Sequence, residues 1–75
     1  MGQNEMIEAE AKLSHLLSHW VEHHEAHLEN YRTWASRARE AGLEQVADAL
    51  DRAVATGVET ARALRGAAKA LDRQR

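Results

Sequence analysis

Apolar residues recur at helical spacing along almost the whole chain, proline is absent, and the pattern breaks once, at Ala41-Gly42-Leu43. Such a chain has few alternatives to helix, because nothing removes a backbone donor and the period is 3.6 residues rather than two. In the first segment the apolar positions are Met6, Leu13, Leu16, Leu17, Trp20, Leu28, Tyr31, Trp34, Ala35 and Ala38. They form one stripe about 120° wide. Asn4 is an expected N-cap, followed by Glu5, Glu8 and Glu10, which suit the positive end of a helix dipole. Gly42 can adopt the left-handed conformation that ends a helix, and Leu43 can supply the apolar contact that follows it. The second segment repeats the pattern through Val46, Leu50, Val54, Val58, Ala61, Leu64 and Leu71, and its basic tail (Lys69, Arg73, Arg75) suits the negative end of the dipole.

The expected architecture is all-α: one domain over residues 1–75, with helix 1 about 5–40, a turn at 41–42 and helix 2 about 43–72. Folded at the turn, the two helices make an antiparallel hairpin. This places Trp20 near Leu64, His24 near Thr60 and Ala61, His27 near Gly57, and Trp34 near Leu50. Two alternatives remain at this level. The chain could run as one long helix in a coiled coil, or Thr56-Gly57-Val58-Glu59 could act as a capping box and start a third short helix. A lone hairpin leaves an apolar flank on each helix, so dimerisation into a four-helix bundle is the expected completion.

With 75 residues, a single small domain buries only about 60% of the surface its unfolded chain exposes and needs a further source of stability. Cysteine is absent, which excludes disulfides and thiolate metal sites and leaves oligomerisation or a metal held by histidine and carboxylate. No run approaches the roughly 18 apolar residues of a membrane span. Met-Gly-Gln-Asn-Glu is unlike a signal peptide, and Met6 stands where a myristoylation motif needs Ser or Thr. The expected location is the cytoplasm. Net charge is −2, and neither half of the chain is a basic patch, so nucleic acid is not an expected partner.

All five histidines, His15, His19, His23, His24 and His27, fall in one short stretch of helix 1. Four are spaced by four residues, which sets consecutive imidazoles on one helical ridge about 6 Å apart, close enough for two to chelate one ion. With Leu13 as the centre of the stripe, His24 falls at about 20°, His27 at about 320°, His23 at about 280° and His19 at about 240°. His15 faces solvent. His24 and His27 then lie within the stripe, and His19 and His23 approach its edge. A lone i,i+4 histidine pair is more often a polar surface feature, and a lone histidine in an apolar stripe a hydrogen-bonded core residue. Concentrating the whole histidine complement beside the expected seam, next to Trp20 and Tyr31, favours a metal. Neutral imidazole ligates Ni²⁺, Co²⁺ and Zn²⁺, and such a site needs three or four donors. The candidate ligands are His19, His23, His27, Glu22 and His24. Glu22 is the best-placed carboxylate, as ligand or as orienter of an imidazole. An antiparallel pairing of helix 1 with its mate near residue 23 would double the set.

Catalytic motifs are missing. His23-His24-Glu25-Ala26-His27 lacks the His-Glu-x-x-His order of the metalloprotease helix, and no glutamate has a histidine three positions on, as di-iron bundles require. No phosphate loop, nucleophile elbow or cysteine nucleophile is present, so an enzyme is not expected.

The run Leu16-Leu17-Ser18-His19-Trp20-Val21-Glu22-His23-His24-Glu25-Ala26-His27, continuing to Tyr31 and Trp34, resembles a little-characterised family of short helical hairpins. Its pattern is Leu-Leu-x-His-Trp-x-Glu-His-x-x-x-His, then Tyr and Trp, and Arg39-Glu40-Ala41-Gly42-Leu43 is similar as well. The resemblance implies association with nickel and cobalt uptake components, and with it a metal-transport or metallochaperone partner. It also implies functional roles for His19, Glu22, His23 and His27. His24 departs from the pattern, standing where asparagine is frequent. Beside a metal-binding module, two other functions fit the residues: a structural or adaptor hairpin that docks by its apolar flank, and a pH switch built on His24 and His27.

Overall fold

The computed structural model describes residues 2–74. Met1 and Arg75, the ends of the expected domain, lie outside the described residues. Two helices, α1 (Gly2–Glu40) and α2 (Glu44–Gln74), pack against each other as an antiparallel hairpin. Neither alternative architecture forms: the chain reverses after Glu40, and α2 passes through Thr56-Gly57 without a break. The start of α1 differs from expectation. It begins at Gly2, which places Asn4 inside the helix rather than at its N-cap position.

Gly42 makes the reversal, with φ of 80°. The Leu43 amide donates to the Ala38 carbonyl at 2.8 Å and the Gly42 amide to the Arg39 carbonyl at 3.0 Å. These are the paired bonds of a Schellman motif, which satisfies the last carbonyls of a helix around a left-handed glycine. Leu43 then accepts from the Ala47 amide at 2.9 Å and starts α2 without a polar cap. It also shares an apolar crevice with Trp34, Ala38, Val46 and Leu50.

A heptad governs the packing. From Glu10 to Ala38, every buried or half-buried residue of α1 except Leu16 falls on the alternating four-three series 10, 14, 17, 21, 24, 28, 31, 35, 38. On α2 the series is 47, 50, 54, 57, 61, 64, 68, 71, with Val58 and Ala70 flanking it. A 3.5-residue repeat keeps one seam facing its partner over many turns, as in coiled coils. The core along that seam is Leu17, Leu28, Ala35, Ala38, Ala47 and Ala61. Near the middle of the seam a large side chain of α1 meets the smallest residue of α2. Leu28 lies so close to Gly57 that a Cβ there would stand 2.3 Å from its Cδ2.

This seam corrects the expected stripe. Leu13 is 42% exposed, Trp20 39% and Trp34 57%, so the covered face is turned by about 50° toward Val21. His27 is exposed rather than within the covered face, while His24 is half-buried on the seam.

The two edges of the hairpin differ. On one, Glu25 pairs with Arg65, and Arg39 reaches Asp51 at 2.7 Å, Asp48 at 2.9 Å and Glu44 at 3.5 Å. On the other, positions seven apart, Leu13, Trp20, His27 and Trp34, stand along α1 beside Val46, Ala53 and Thr60 of α2. The molecule is a rod of 59 × 14 × 14 Å between Cα atoms.

Candidate metal-binding ridge

The regular backbone of α1 positions the histidines. Residues four apart rise by one turn and rotate by about 40°, so their rings stack in a slowly slanting ladder. His19 and His23 are stacked with centroids 5.9 Å apart, and His23 and His27 meet edge-on at 4.4 Å. Tyr31 continues the ladder, stacked on His27 at 6.0 Å. Its place was legible as the next step of four after His27, although its apolar ring assigned it to the stripe.

Between His23 and His27 the two Nε2 atoms approach to 3.0 Å. In the neutral pair one Nε2–H donates to the lone pair of the other, so both ring nitrogens point at the same place. A metal bound at 2.0–2.1 Å by two imidazoles needs a nitrogen separation of about 2.9 Å at a right-angled bite and about 3.3 Å at a tetrahedral one. The observed spacing falls between them. Replacing the shared proton by an ion keeps this separation but requires each ring to tilt by about 40° so that both lone pairs converge on the metal, a movement that an exposed helix surface allows.

The other predicted ligands are placed less favourably. His19 is one turn away, its ring stacked on that of His23. His15, expected to face solvent and not among the candidate ligands, is exposed one turn further on. His24 turns from the ridge into an open groove of about 670 Å³, shared with His27, Leu28, Tyr31, Ala53 and Thr60. Glu22 lies toward the opposite edge, in a crevice with Val21, Arg65 and Lys69, and does not meet the imidazole pair. Among the described residues no group of three or more His, Cys, Asp or Glu is gathered where it could hold a metal. One chain thus presents a two-imidazole pair and no complete coordination shell.

A tight helical hairpin with a ladder of ring side chains on its longer helix is the class of protein that fold and ridge define. Over residues 13–72 the chain matches the family described as Domain of unknown function (DUF8180), and it belongs to that family. No curated protein and no solved structure matches it. Among the described residues no helix is long and apolar enough to cross a membrane.

Proposed function

We propose that this protein binds a divalent transition-metal ion of the Ni²⁺, Co²⁺ or Zn²⁺ class, with His23 and His27 as the primary ligands and His19 as the adjacent donor. The observation that carries this reading is the convergence of the two Nε2 atoms at 3.0 Å. Imidazole suits all three ions, and selectivity among them depends on geometry and supply. The resemblance to hairpins found beside nickel and cobalt uptake components is in keeping with a role in metal handling in the cytoplasm, without catalysis. Glu22 and His24 enter this reading only as more distant groups, because neither side chain joins the pair.

Equilibrium dialysis of untagged protein against each ion tests the proposal. Stoichiometric uptake by the wild type and none by the doubly substituted His23→Ala/His27→Ala chain is the expected result. Retained uptake by that variant overturns the assignment. Only neutral imidazole ligates, so acidification should compete with the metal for the ring nitrogens and release it.

A second reading, a structural or adaptor hairpin, draws on a different observation: the row of exposed Leu13, Trp20 and Trp34 beside Val46. It predicts a chain that ignores every metal and still associates through that face.

A further inference from the structure

We propose that the metal site is shared between two copies of this chain, with His23 and His27 of each supplying two of four imidazoles around one ion. This rests on the metal-binding reading above and names the partner that completes it. In the proposed dimer the two α1 helices cross antiparallel about a two-fold near residue 25.

Donor number is the first reason. Stable zinc-type sites take three protein ligands or four, and one chain converges only two. His19 could add one donor at most, so a four-imidazole shell needs donors from outside the hairpin, and the pair is exposed at its surface, bordering the open edge.

That open edge fits a second copy of itself. The opposite edge is occupied by the ion pairs of Glu25 with Arg65 and of Arg39 with its three carboxylates. The open edge carries exposed Leu13, Trp20 and Trp34, and Arg37 of α1 lies over the Trp34 ring at 4.9 Å. Its α2 side is small or apolar at Val46, Ala49, Ala53, Thr56 and Thr60, with Arg52 bordering the groove beside them. Arg37 and Arg52 are long enough to keep their charged ends at the rim of such an interface, so no ion need be buried unpaired, and small residues let the α2 helices approach closely. A face 59 Å long and 14 Å across is on the order of 800 Å², the area each partner of a standard interface buries.

Position along the helix supports the antiparallel crossing. α1 runs from Gly2 to Glu40, so its midpoint lies close to His23 and His27. A two-fold near residue 25 sets His23 against His27 of the mate and Leu16 against its Trp34, while keeping most of both helices overlapped. Crossing at either end of the helix would bring the pairs together only by abandoning most of that face. Metal binding then stabilises the dimer by linkage, because the ion binds the assembled state.

Two measurements test the inference on untagged protein with Zn²⁺. Native mass spectrometry should show one ion per two chains, and the His23→Ala/His27→Ala chain should lose both the ion and the zinc-dependent shift toward dimer. Circular dichroism of that variant checks that it is still helical. A spin label at Lys12→Cys, clean because the chain has no cysteine, then reports the packing. Labels thirteen residues from the two-fold on antiparallel helices stand about 40 Å apart. A short distance near about 20 Å means a two-fold along the rod, with α1 against α2 of the mate, and overturns the shared site. One ion per monomeric chain also overturns it and leaves metal binding intact. No uptake of any ion overturns the binding reading and the shared site together.

Discussion

At the scale of the residue, chemistry and packing are carried by different side chains of one helix. His23 and His27 face out and need little from the fold beyond a regular backbone, so replacing both by alanine should leave the helical signal and thermal midpoint nearly unchanged without metal. A large loss of helicity in that variant would mean the imidazoles serve packing instead. Leu28 is the converse case. It is 4% exposed, set into the notch left by Gly57, and Leu28→Ala should cost about 2–4 kcal/mol through lost burial and an unfilled cavity, read by urea denaturation. Gly57→Val brings branched bulk into the same notch and should cost about 1–3 kcal/mol by overpacking. Arg39 is held above the usual arginine range, chiefly by its hydrogen bond to Asp51, with desolvation opposing. A raised cation favours the fold at every pH below its unfolded value and loses that effect only in strong alkali. Arg39 itself therefore adds no pH dependence across the neutral range.

At the scale of the element, the turn is specified by one residue and its bonds. Gly42 sits at φ 80° with open space around its α-carbon, so Gly42→Ala meets strain and no clash. The expected loss is about 1 kcal/mol, measured by the same denaturation. A loss near zero would show that the reversal does not depend on a left-handed residue. Both helices alternate large and small residues along the seam, Leu17 and Leu28 with Ala35 and Ala38 on α1, and Ala47, Gly57 and Ala61 with half-buried Leu50, Val54 and Leu64 on α2. The small positions let two long helices approach closely.

At the scale of the whole molecule, a narrow rod has little interior. Among the described residues no side chain is both large and fully buried, and several large apolar groups remain in solvent. A second copy over the open edge would cover Trp20 and Trp34, so their fluorescence should shift to shorter wavelength with rising protein concentration, more so with Zn²⁺. An emission maximum independent of both concentration and metal would count against any association through this face.

Much of this was legible along the chain because it depends on neighbours within one turn. Helix, the break at Gly42 and the four-residue ladder of histidines follow from spacing and backbone preference alone. The rotation of α1 about its own axis does not. Its apolar residues point in two directions, Leu17, Leu28 and Ala35 toward one face and Leu13, Trp20 and Trp34 toward another, and their average lies between. Which set is buried depends on the partner. Gly57 and Ala61, some thirty residues away in the chain, offer the notch that Leu28 fills, and only packing could choose that seam. The same choice exposed His27, left His24 half-buried and turned Glu22 toward Arg65. The histidine ridge was thus set by local geometry, while the composition of the candidate site was decided by how two helices fit together.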